Sequence, residues 1–278
     1  MPYLKRPDVE LFYEVHGDGP PFLFISETAC HGEIWKEHQV PPLAKDHTVI
    51  TYDQRGTGRS GPFEDEITTR MLAEDAVAIL DAVGKDPAIV FGHSMGGRVA
   101  QLVALDFPDR VSRLILASSG AAHKHAPGIP LSGCIEMVEK GYERYYREHL
   151  IDMAFTPEFQ RDHADEVEAY LKLRLKPVVP LKTYLRYMIA RQGHDTEHRL
   201  KEITVPTLVI VGEREDNRIT DVTHVEAAAV LAKGIPGARL VVLPDQKHCY
   251  HHTLPDGLNK AIRDFIDEGR RQRQVAAQ

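Results

Sequence analysis

Short apolar runs recur along the chain, each closed by turn-forming residues, and between them lie longer stretches in which apolar positions return every three or four residues. The runs are Phe22–Ile25, Val49–Tyr52, Ala88–Phe91, Leu114–Ala117, Leu208–Val211 and Leu240–Leu243. A run without alternation suits a strand covered on both faces, and the intervening helical periods supply the cover. The pattern therefore predicts an α/β protein built on a mostly parallel sheet. VELFYEVHG (Val9–Gly17) alternates instead, and before the turn Gly17-Asp18-Gly19-Pro20 it predicts an antiparallel hairpin strand.

Between Leu116 and Pro206 the strand and helix alternation stops. Amphipathic, aromatic-bearing stretches such as IEMVEKGYERYYREHL and VPLKTYLRYMIARQ replace it, which predicts an all-helical lid over residues 122–200, inserted into a core formed by 1–121 and 201–278. Most of the lid's Tyr and Leu residues are expected to serve helix packing. Its remaining Tyr and Met side chains are expected to shape an apolar pocket.

Composition narrows the classes of function. At 278 residues and 42% apolar content the chain buries a substantial core, and its 34 basic residues are scattered among 41 acidic ones for a net charge of −7. No one-sided basic stripe points to nucleic acid. No apolar window approaches the roughly 20 residues needed to cross a bilayer, and no basic start with an apolar core follows the first Met, so a cytoplasmic protein without a membrane partner is expected. Cys30, Cys134 and Cys249 are odd in number and widely spaced, which predicts reduced thiols and neither a disulfide framework nor a metal site.

The chemistry begins at VFGHSMGGRVA (Val90–Ala100), where Ser94 stands between Gly92 and Gly96 directly after an apolar run. A strand followed by Gly-x-Ser-x-Gly and a small-residue helix start is a nucleophile elbow, a turn too sharp for bulky neighbours. It lifts the serine hydroxyl above the sheet and sets the Met95 amide at a helix start, where it favours a developing oxyanion. A serine needs a base, and the base an orienting acid, later in the chain. His248 follows the run Leu240–Leu243 and is the expected base. His251 and His252 read as loop residues, with no carboxylate or cysteine at ligand spacing to complete a metal set. Glu215 and Asp216 follow Leu208–Val211, and both remain candidates for the acid. Residue identity favours Asp216, since aspartate is the commoner orienting acid, and this reading prefers it.

YDQRGTGRSGP (Tyr52–Pro62), GHSMGGRVA (Gly92–Ala100), VPTLVIVGERED (Val205–Asp216) and KHCYHHTLPDGLNKAIRDFI (Lys247–Ile266) together resemble the α/β-hydrolase superfamily across nearly the whole chain. The resemblance implies an eight-stranded sheet with one antiparallel strand, a Ser-acid-His triad, and a helical lid after the sixth strand. It places the acid three residues beyond the glycine of the seventh strand, a count that from Gly212 reaches Glu215. It also makes Asp53 and Arg55 parts of a structural turn. The second oxyanion donor commonly follows a His-Gly pair after the third strand. Counting back from Trp35 sets Ser26-Glu27 at that pair and leaves Thr28 as the amide donor, while His31-Gly32 falls too late after the strand. Glu27 has two readings, a carboxylate in solvent or a salt bridge, or a group in the pocket that binds substrate or water. His93, beside the nucleophile, reads as sheet packing, with substrate contact as its alternative. Ser26 in place of the imidazole resembles the enol-lactonase-like and ring-cleavage-product branches.

These residues predict a cofactor-free serine hydrolase acting on a small carboxylic ester, lactone or activated C–C bond. Two alternatives are a proline iminopeptidase-like enzyme, whose elbow usually differs from Gly-His-Ser-Met-Gly, and a non-hydrolytic protein of the same fold, either a cofactorless oxygenase or a ligand-binding module. The partner is expected to be a small-molecule substrate, with oligomeric state left open.

Overall fold

A computed structural model, which describes residues 3–85, 87–122, 136, 139–176, 179–216 and 222–276, gathers the apolar runs into one sheet. Its strands are β1 (Tyr3–Lys5), β2 (Glu10–His16), β3 (Pro21–Ile25), β4 (Thr48–Tyr52), β5 (Ala88–His93), β6 (Val111–Ala117), β7 (Thr207–Gly212) and β8 (Arg239–Leu243). They lie in the order β1-β2-β4-β3-β5-β6-β7-β8. Only β2 runs against its neighbours, antiparallel to both β1 and β4. β3, β4, β5 and β7 are buried along their whole length, as expected of strands covered on both faces. β8 closes the sheet and leaves Leu240 and Val242 exposed.

The expected hairpin needs one correction. β2 does not pair with the strand that follows its turn. It lies against β4, with Tyr13 opposite Tyr52, and its hairpin partner is the upstream β1. β1 has three residues and no buried side chain, too little to show a period.

Helices cover both faces. α1 (Thr69–Val83), α2 (Met95–Asp106) and α7 (His224–Gly234) share one core with the sheet, through Leu72, Val99 and Leu231 among others. On the other face α8 (Pro255–Ala276) packs Leu258, Ile262 and Phe265 with Trp35 and Phe91. Between β6 and β7 come α3 (Tyr142–Ala154), α4 (Pro157–Asp162), α5 (Ala164–Arg174) and α6 (Leu181–Gln192), the helical insertion expected after the sixth strand. Of the stretch read as lid, positions 123–135, 137, 138, 177 and 178, including Cys134, lie outside the described residues. Leu150 of α3 and Tyr170 and Leu171 of α5 enclose a small third core around Phe155 and Cys249. Through that core the insertion rests on the loop after β8, where the main-chain N–H groups of His248 and Cys249 donate to the carbonyls of Met153 and Ala154 at 3.4 and 3.3 Å. Among the described residues no helix is long and apolar enough to cross a membrane.

Candidate active site

β5 ends at His93 and α2 begins at Met95, so Ser94 alone makes the turn between them. It does so at φ 55°, ψ −116°, a region that costs a residue with a side chain about 1–3 kcal/mol. The crowding explains the flanking glycines, since a Cβ on Gly92 would run into the Gly96 carbonyl, and one on Gly96 into the Ile25 carbonyl. The Ser94 N–H donates to the Ala117 carbonyl at 2.8 Å, which ties the elbow to β6. Ala29 and Ser118, in loops beside this turn, also have positive φ. Met95 opens α2, where first-turn N–H groups have no partner within the helix.

His248 and Glu215 meet at 2.7 Å, Nδ1 to Oε2, and both are buried. The other Glu215 oxygen accepts from the Ser118 hydroxyl at 2.5 Å and from the Gly212 N–H at 2.8 Å. His224 Nδ1 stands 3.6 Å from Oε2, and its ring lies 4.7 Å from that of His248. Burial raises the Glu215 carboxyl, but the charges of His248 and His224 and the hydrogen bonds from His248 and Ser118 outweigh it and hold the group near 2. Burial likewise lowers His248, and there the charge and hydrogen bond of Glu215 win and raise it. His224 lacks such a bond, and burial pushes it down to about 3, so it stands neutral behind the carboxylate. The preference for Asp216 is thereby corrected in position. The turn that closes with the Glu215 N–H on the Gly212 carbonyl points Glu215 inward, and its neighbour Asp216 faces solvent.

The loop after β3 is pinned through Ser26. Trp35 Nε1 donates to its hydroxyl at 2.9 Å, that hydroxyl donates to the His31 carbonyl at 3.2 Å, and Gln54 holds its carbonyl at 2.9 Å. Thr28 reaches the pocket wall with Ser94, while His31 turns away to the Leu173 carbonyl at 3.1 Å and the Gly32 N–H to Asp53 at 2.9 Å. Arg55 forks onto Asp75 with two bonds of 2.7 Å, a buried pair that does not line the pocket at the serine.

Glu27 makes the salt bridge of its first reading while facing the pocket of its second. It lines the pocket, and its Oε1 accepts from Arg174 Nε at 2.5 Å. Arg174 also donates to the Thr28 carbonyl at 2.8 Å and lies over the Tyr146 ring. Burial opposes the charge on Glu27, yet Arg174, helped by His93, holds the carboxyl well below its usual range. Breaking such a buried pair strands a charge. Glu27→Ala should therefore cost about 3–5 kcal/mol in urea unfolding, and a loss below about 1 kcal/mol would show the pair to be dispensable.

His93 is not a pocket residue. Its Nε2 donates to the His248 carbonyl at 3.0 Å and its Nδ1 lies 3.3 Å from Glu27 Oε2, so it braces the two loops from behind. The reading of substrate contact at His93 is corrected accordingly. His251, expected in a loop, lies in a short helical turn (Tyr250–Thr253), buried against Trp35 with Nε2 3.1 Å from the Tyr170 hydroxyl. Two triplets, Glu27/His93/His248 and Glu215/His224/His248, bring potential ligand atoms within 4.8 Å. Both need His248, whose Nδ1 already serves Glu215, so a metal bound through that nitrogen would compete with the bond.

The pocket over Ser94 holds about 30 Å³ and is lined by both arms of the chain. Tyr146 and Met153 of α3 and Tyr184 of α6 enter it, as expected of the lid. His149 of α3, Arg174 of α5 and Arg191 of α6 enter it as well, so ionisable groups are set among the apolar walls. Sequence reasoning missed these three, together with His224 and Ser118. Only His224 left a trace, standing after Thr223 in a Thr-x-x-Glu capping box just beyond β7.

A family model described as the alpha/beta hydrolase fold matches residues 20–255. A protein named putative carbamate hydrolase RutD, from Azorhizobium caulinodans, is 30% identical over 276 residues, covering 96% of this chain and 99% of its own. The solved structure of Est816, titled an N-acyl homoserine lactone degrading enzyme, superposes with a TM-score of 0.82 at 29% identity, covering 95% of this chain and all of that one (100%). The enol-lactonase from Burkholderia xenovorans LB400 superposes with a TM-score of 0.84, over 96% of this chain and 100% of its own, and at 24% identity that likeness concerns the fold.

Proposed function

The chain belongs to the α/β-hydrolase family, and from that premise we propose that it is a cofactor-free serine hydrolase of small carboxylic esters or lactones. The observation that carries the proposal is the 2.7 Å contact between buried Glu215 and His248, whose imidazole shares one pocket with Ser94 at its strained elbow. With Nδ1–H directed at Glu215, Nε2 is the free base. His248 takes the Ser94 proton as Oγ attacks the substrate carbonyl, and the amides of Met95 and Thr28 receive the oxyanion. His248 returns the proton to the leaving oxygen, and water then deacylates the serine by the same route. Glu215 orients the imidazole and stabilises its charged form. A carbamate is the second reading, favoured by the 30% identical relative named for that activity, and its carbonyl would undergo the same attack.

A fluorophosphonate probe followed by peptide mass mapping should mark Ser94, alongside turnover of p-nitrophenyl esters or lactones. Folded protein that takes no label would sink the reading in favour of a binding module or an oxygenase. The pH profile adds a second check. A protonated imidazole accepts no proton, and Glu215 raises His248, so kcat/KM should climb with pH through an inflection above the ~6.5 of free imidazole. In Glu215→Gln only the charge of Glu27 still opposes burial, and the inflection should move down from the wild-type position.

A further inference from the structure

Three arginines cluster near Ser94, and their surroundings differ. Arg174 is neutralised by Glu27 and held further by the Thr28 carbonyl and the Tyr146 ring. Arg191, in the last turn of α6, lines the pocket beside Ser94 and His248, and among the described residues it makes no ion pair and no hydrogen bond. Its Nε is shut off from solvent without a partner. Arg98, one turn into α2 behind the nucleophile, is buried with an orphaned Nη1 and also lacks a carboxylate among the described residues. Burial pushes both guanidinium groups down, and the charge of Arg191 pushes Arg98 further.

A buried cation without a counter-ion is costly, and arginine keeps its charge rather than relieve the cost. A structural role does not account for the arrangement. A last-turn arginine that served only the helix dipole would extend into water, whereas this one turns its Nε into the wall of a catalytic pocket. The one carboxylate lining that pocket among the described residues, Glu27, is already engaged by Arg174. The missing element is an anion.

We propose that Arg191, backed by the field of Arg98, is an anion subsite beside Ser94, and that the substrate is an ester or lactone carrying a carboxylate. This rests on the serine-hydrolase reading for the reaction, but the subsite itself rests on the two unpaired arginines. The planar guanidinium receives a carboxylate with paired N–H bonds, and so fixes which end of the molecule meets the serine.

Isothermal titration of glutarate, a dicarboxylate with no bond to cleave, reads the subsite without turnover. Wild type should bind it, Arg191→Gln about tenfold or more weakly, and Arg191→Lys in between. Because the substitution to glutamine removes a half-buried charge with no partner among the described residues, it should not lower the melting temperature, which separates lost binding from lost folding. In parallel, kcat/KM for monoethyl glutarate over that for neutral ethyl pentanoate, and for acetoxyacetate over ethyl acetate, place the carboxylate on the acyl or the leaving side. One of these ratios should exceed about ten and fall at least tenfold in Arg191→Gln. Glutarate binding that needs Arg191, without turnover of any ester, would uphold the subsite and sink the hydrolase reading. Turnover with both ratios near one, and glutarate binding absent or unchanged by the substitution, would overturn the subsite and leave the hydrolase reading standing.

Discussion

Ser94→Ala is expected to lower kcat on the best ester substrate by at least about 10³-fold while leaving the fold intact. The loss is large because the hydroxyl supplies the bond that forms, and neither the Met95 amide nor His248 replaces it. Stability should change by less than about 1 kcal/mol. The backbone stays at φ 55° for either side chain, and the serine hydroxyl makes no capping bond to α2 that alanine would forfeit. Steady-state kinetics beside a urea melt checks both halves. A variant that kept more than about a tenth of the wild-type rate would remove Ser94 from the role of nucleophile.

The second large effect separates two adjacent carboxylates. Glu215→Gln is expected to reduce kcat by as much as ~10⁴, since the amide offers its NH₂ where the imidazole needs an acceptor and leaves the imidazolium without its counter-charge. Asp216→Asn should cost less than about threefold, as the group is solvated and away from the ring. The two variants are compared on one chromogenic ester. The reverse ranking would mean that the turn after Gly212 adopts another path when substrate is bound, and equal activity of both would move the acid to another strand.

The difficulty with this pair shows where sequence reasoning stops. Ser94 was legible because its constraints are local, a strand, a forbidden Cβ on either side and a helix start, all within a few residues. His248 was legible from its place after an apolar run. The choice between Glu215 and Asp216 depends on how tightly a turn closes, which the Gly212–Glu215 hydrogen bond decides and no residue type announces. The strands of the sheet followed from their unbroken apolar runs, whereas β1 was too short to carry a period. The pocket's charge was illegible for another reason. Glu27 and Arg174 are 147 positions apart, and an arginine on an amphipathic helix looks the same whether it faces water or a carboxylate. The aromatic density of the insertion suggested the apolar walls, whereas the arginines that add charge to them lie among surface-like residues of α5 and α6.

The contact between the end of α3 and the loop after β8 has a consequence for how such enzymes diversify. The N–H groups of His248 and Cys249 are anchored on the carbonyls of Met153 and Ala154, so the segment that delivers Tyr146 and His149 to the pocket also suspends the imidazole of His248. Specificity and reactivity are thus inherited together. A cap grafted from a cousin would arrive with a foreign main-chain trace at this seam, and the graft would retune or misplace the imidazole along with the pocket. Point changes on the inward side of α3 and α6, which leave the seam untouched, are the mutational route open to a new substrate.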